Sequence, residues 1–80
     1  MGNQKIYVVY NKSLIGKNWE IGVDNVAFTT IEKAENYIES KLTETEILKN
    51  RNAKKRNMQY EYEFLTDRNI NYYWKVVTLE

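Results

Sequence analysis

A chain of 80 residues with no cysteine and no histidine cannot staple itself with disulfides or build a thiolate or imidazole metal site, and it lacks the partners for Ser-His or Cys-His nucleophilic chemistry. Twelve basic against eleven acidic residues leave a net charge of +1, so no global field draws it toward nucleic acid or an anionic membrane. One small domain spanning 1–80 is expected, and the rings of seven Tyr, two Trp and two Phe are the natural source of buried area for so short a chain.

In chain order, Lys5–Tyr10 (KIYVVY) is β-branched and aromatic throughout and reads as a strand. Ile6, Val8 and Tyr10 face one way, Tyr7 and Val9 the other, and apolar residues on both sides favour a central position. Asn11–Asn18 (NKSLIGKN) carries Gly16 and several polar turn formers, and is expected to reverse the chain. Trp19–Phe28 alternates at Trp19, Ile21 and Val23, then changes parity at Val26 and Phe28. A β-bulge or short turn at Asp24 and Asn25, with one extra residue, accounts for the slip in a second, bent strand that pairs with the first.

The stretch Phe28–Leu42 (FTTIEKAENYIESKL) is the main helix. Thr29 and Glu32 have capping-box spacing, and Ile31, Ala34, Ile38 and Leu42 recur at helical intervals as one narrow apolar stripe. Beyond Leu42 the stripe fails. Thr43 and Glu46 offer a second capping box, and the segment 43–57 is either a weaker second helix or a mobile connection. Met58–Leu65 alternates Met58, Tyr60, Tyr62 and Phe64 against Gln59, Glu61 and Glu63, the pattern of a strand with one buried and one solvated face, which assigns Tyr60, Tyr62 and Phe64 to the core. A turn at Thr66–Asn71 and a final strand, Tyr72–Leu79, close the chain. The fold class is therefore α+β: a two-layer, mostly antiparallel four-stranded sheet in the order ββα(α)ββ, with one main helix on one face. The other face is expected to stay open, with Tyr7, Val9, Glu61 and Glu63 among its side chains.

Candidate chemistry is sparse. Glu61 and Glu63 share a strand face, a spacing that a paired-carboxylate or hard-metal site can use, but polar-out alternation explains them more simply. Neither a phosphate-cradling glycine loop nor a calcium loop is present, so no catalytic residue, metal ligand or cofactor is assigned and an enzyme is not expected. Two charged surfaces are candidates for contact. Glu32, Glu35 and Glu39 make an acidic edge beside the helix stripe, and with the exposed aromatics Tyr7, Trp19 and Tyr73 they form the candidate protein-binding set. Lys49, Arg51, Lys54, Lys55 and Arg56 form a basic run with no interleaved aromatic, the candidate set for a nucleic-acid binder.

Ile6-Tyr7-Val8-Val9, and then Val26-Ala27-Phe28-Thr29-Thr30-Ile31-Glu32-Lys33-Ala34-Glu35, resemble small uncharacterised proteins encoded by phages and prophages of low-GC Gram-positive bacteria. These open on a "YVV"-type strand and start a helix with "F-[ST]-T-x-E-K-A" after a second strand. The resemblance covers the first half of the chain and transfers no functional residue. What it implies is a short accessory phage product, a class in which inhibitors of host or defence proteins are common. With the missing catalytic chemistry, the expected function is a non-enzymatic module that inhibits or modulates a host or defence protein by stoichiometric binding. A homodimer is the other protein partner to expect, and nucleic acid through 49–56 is the alternative. No apolar run is long enough to span a membrane and no signal-peptide pattern opens the chain, so the cytoplasm is the expected location.

Overall fold

A computed structural model describes residues 4–79. Four strands and two helices follow in the order β1 (Gln4–Ile15), β2 (Asn18–Phe28), α1 (Ile31–Glu39), α2 (Glu44–Lys55), β3 (Glu63–Phe64) and β4 (Ile70–Leu79). The sheet is antiparallel throughout, in the spatial order β2-β1-β4-β3. The α+β class and the two hairpins flanking a helical connection are as the sequence predicts. The two apolar strands, β1 and β4, take the centre and pair over most of their length, from Gln4↔Leu79 to Ser13↔Ile70.

β1 is longer than expected. Asn11–Leu14 continue the strand, and the reversal is confined to Gly16 and Lys17, where Gly16 takes a φ of 63° that a two-residue hairpin turn demands and a Cβ would resist. β2 carries the irregularity anticipated at Asp24 and Asn25, but with a different count. Tyr10 pairs with Val23 and Val8 with Ala27, so three residues of β2, Asp24–Val26, lie opposite Val9 alone. Asn25 supplies the left-handed residue of the bulge, φ 58°. Two extra residues restore parity, whereas one would have inverted it. Trp19, Ile21 and Val23 therefore stay on the side of Tyr10, while Val26 and Phe28 lie on the side of Val9.

That second side is the one the helices cover. Val9, Ala34, Ile38, Phe64 and Tyr72 form the core, with Tyr7, Val26, Phe28, Tyr37, Leu42, Ile70 and Trp74 packed around it. The expectation that Tyr7 and Val9 would lie on the open face is overturned: Val9 is fully buried, and Tyr7 sits edge-on to Trp74 at 5.5 Å. α1 begins one residue later than the Thr29–Glu32 pair implies. β2 extends through Phe28, Thr29 becomes the joint, and Thr30, in extended conformation, caps the helix by accepting from the Lys33 amide.

The segment after Leu42 is a helix, α2, and its start is the Thr43–Glu46 capping box, with both reciprocal hydrogen bonds present. α2 does not dock through an apolar stripe. Glu46 and Asn50, each 2% exposed, carry it instead. The Asn50 amide donates to the carbonyls of Glu46 and Leu65, and its oxygen accepts from the Leu65 amide and the Gln59 side chain. Glu46 accepts from the Asp67 amide and from Arg68 at 2.9 and 3.2 Å. A polar clamp thus holds the β3–β4 loop against α2.

The Met58–Leu65 strand shrinks to Glu63 and Phe64. α2 ends in a Schellman turn, with Met58 N–H donating to the Ala53 carbonyl, Asn57 N–H to the Lys54 carbonyl, and Asn57 left-handed at φ 56°. The residues that follow are consumed in bringing the chain back from the helix to the sheet. Tyr60 and Tyr62 consequently leave the core to which their alternation assigned them; they stack on each other at 5.2 Å, with Tyr60 66% exposed.

Candidate functional site

The uncovered face of the sheet is apolar. Because paired residues of an antiparallel ladder point to the same side, the register places Ile6, Val8, Tyr10, Lys12 and Leu14 of β1 on one surface. With them lie Trp19, Ile21, Val23 and Ala27 of β2, and Tyr73, Lys75, Val77 and Leu79 of β4. No helix packs here. Ile21 is 70% exposed and Trp19 and Val23 are 49% exposed, while Val77 and Leu79 are also open to solvent.

Its centre is a cross-strand pair, Tyr10 on Tyr73, stacked at 5.3 Å with planes 12° apart. Burial, with the Tyr10 ring beside it, raises the Tyr73 phenol above its ordinary range. The ionisable groups of the central and β3 strands here are Lys12, Glu63 and Lys75. Lys12 reaches Glu63 at 3.9 Å and lies 5.5 Å from the Trp19 ring; Lys75 lies 5.8 Å from the Tyr10 ring. Both signs are present and both cations rest against aromatic faces. A shallow depression of about 230 Å³ runs between Ile21, Lys12, Tyr73 and Lys75, with Tyr62 and Glu63 at its margin.

Folded monomers of 9.6 kDa expose about 5,100 Å². The whole chain exposes 5921 Å², about 800 Å² over that scaling, with Leu48, Met58, Tyr60, Leu65 and Val76 contributing exposed apolar surface away from this face.

The sequence-derived candidates scatter. Trp19 and Tyr73 lie on the open face; Tyr7 lies on the covered one, beneath the helices. The acidic edge and the basic run, treated separately in the sequence, face each other across a groove between α1 and α2, lined by Glu32, Glu35, Glu39, Arg51, Lys54 and Phe64 among others. Glu39 accepts a two-point contact from Arg51 at 2.7 and 2.9 Å, which holds the guanidinium above its ordinary pKa, and Glu35 accepts from the Trp74 indole at 3.3 Å. Lys49 pairs with Asp67 at 3.4 Å. Lys54 places its ammonium 3.0 Å from the centre of the Phe64 ring, without a hydrogen-bond acceptor. Burial pushes that amine down to about 8, against the opposing pull of Glu35 and Glu39. Lys55 and Arg56 are exposed. Three of the five basic residues are thus committed within the fold.

Sequence reading missed Tyr10, Lys12, Ile21, Val23, Lys75 and Val77 as a common surface. The alternation of Ile6, Val8 and Tyr10, and of Trp19, Ile21 and Val23, was the available signal, but which side the helices cover depends on the length of the bulge. Among the described residues no cluster of three or more carboxylates is placed to hold a metal ion, and no helix is long and apolar enough to cross a membrane. No protein-family model matches the chain, and neither a curated protein nor a solved structure matches it.

Proposed function

We propose that this protein is a non-catalytic protein-binding module whose working surface is the open face of the sheet. One observation carries the reading: the apolar side chains of β1, β2 and β4 stand on a single uncovered face, where Ile21 is 70% and Trp19 and Val23 are 49% exposed. Large contiguous apolar patches left open to solvent mark interaction sites in soluble proteins. Its composition fits too, since Tyr and Trp are enriched where interfaces gain most of their energy. The absence of His and Cys from the sequence is consistent with work done by binding.

The test is affinity purification of the tagged chain from cells that also express an untagged copy. A stoichiometric protein companion, whether another protein or the untagged copy, is expected with the wild type and is lost from Ile21→Lys. It is retained by Lys55→Ala, which alters the far side. Recovery of the tagged chain alone would refute the proposal.

A further inference from the structure

Resting on that reading of the face, we infer that its occupant is a second copy of this chain, packed open sheet to open sheet about a two-fold axis. Area is the first argument. A standard-size interface removes about 800 Å² from each partner, and this face offers the width of three strands for it, with Ile21 70%, Trp19 and Val23 49%, Leu79 43% and Val77 37% exposed.

Chemistry is the second argument. A two-fold contact is isologous, so the surface must complement itself. An aliphatic and aromatic surface does so by nature, because burying apolar area is non-directional. Charges are what ordinarily forbid self-contact, and here they do not. Lys12 and Glu63 neutralise each other within one protomer, and Lys75 has a flexible stem that lets its ammonium reach the rim while its methylenes stay on the apolar surface. A partner of opposite charge would need a field to recognise, and this face has almost none. A single-stranded nucleic acid would use Tyr10, Tyr73 and Trp19 as stacking platforms, but it also needs a cationic track for its phosphates. Of the two lysines on this face one is already paired, and aliphatic residues outnumber rings. Two such faces stacked at the usual separation of about 10 Å form a sandwich, with the Tyr10–Tyr73 pairs near its middle and the helices outside.

Sedimentation of the purified full-length chain from about 1 µM to about 200 µM spans the range in which interfaces of this size associate. The expected result is a species of twice 9.6 kDa. Ile21→Lys and Val77→Lys, on different strands and both solvent-exposed in one protomer, are expected to weaken association by about 100-fold each, with unchanged far-ultraviolet circular dichroism. Arg51→Ala, in the groove on the covered side, is expected to leave it unchanged. A wild type that stays monomeric throughout the range overturns the inference, as does a dimer insensitive to both lysine substitutions. Saturable binding of a single-stranded oligonucleotide by a monomeric wild type, abolished by Ile21→Lys, also overturns it. If the monomeric wild type co-purifies with a different protein through Ile21, the self-pairing is wrong while the docking face stands; if it neither self-associates nor retains a companion, both fail.

Discussion

Glu46 offers the sharpest test of how α2 is held. Its carboxylate is 2% exposed and is drawn down from an ordinary 4.5 to about 2, chiefly by the hydrogen bonds from Arg68 and, after the opposing effect of burial, by the amides of Thr43 and Asp67. Taken whole, that displacement corresponds to about 3 kcal/mol, and the half-exposed Arg68 guanidinium reduces it through solvent screening to about 2 kcal/mol. A carboxyl whose pKa is lower in the folded state contributes stability that is complete above the unfolded value and lost as pH falls through the folded one. The contribution should therefore be intact at neutral pH, decline below about pH 5 and be gone near pH 2. Glu46→Gln keeps an acceptor for the Thr43 amide, as a capping box with glutamine does, while removing the charge that pairs with Arg68. Urea unfolding of the wild type and the variant, followed by circular dichroism at a series of pH values, reads the difference. With an m-value of about 1 kcal/mol/M for so small a domain, the midpoints should differ by about 2 M at neutral pH and converge at the acid end. Parallel pH profiles would refute the reasoning, because the loss would then come from shape or capping and not from the charge.

Lys54 predicts a slope of the same sign in the alkaline range. Its folded pKa of about 8 lies below the ordinary 10.5, so the unfolded chain binds the proton more tightly and native stability should rise between those values. Subtracting the curve of Lys54→Met, which keeps an apolar stem on Phe64, should isolate that rise; a flat difference from pH 7 to pH 11 would show the amine to be solvated. At the hairpin tip, Gly16→Ala has free space but a φ of 63°, and should cost about 1 kcal/mol, lowering the thermal midpoint by about 4–8 °C. Gly16→Asn, which tolerates that conformation, should cost much less, and equal losses in calorimetry would contradict the backbone argument.

The parts of the fold legible in the sequence are those written in local chemistry. β-branched and aromatic runs marked β1 and β4, helical spacing marked Ala34 and Ile38 as inward residues, and Thr43 with Glu46 marked the start of α2. What escaped depends on counting across the sheet. Asp24 and Asn25 announce a bulge, yet composition does not say whether it adds one residue or two, and that number decides which face Trp19, Ile21 and Val23 occupy. Met58–Phe64 alternates like a strand, but the geometry of leaving α2 at Asn57 takes those residues first. Glu46, Asn50 and Ala53 share a helical face by their spacing of four and three. Polar residues at two of those positions masked a docking surface that works by hydrogen bonds. The pairing of Arg51 with Glu39 joins residues twelve apart on two helices whose relative placement no local pattern specifies.

The central pairing of β1 with β4 has a consequence for how the chain reaches this state. Gln4 meets Leu79, so the heart of the sheet joins segments that are far apart in the sequence, with both helices synthesised between them. The β1–β2 hairpin must wait, with apolar side chains on both surfaces, until β4 has been synthesised. Non-local pairing of this kind slows folding and lengthens the interval in which unpaired strands can associate wrongly. During that interval the nascent hairpin is a natural client for chaperones that recognise extended, aromatic-rich segments.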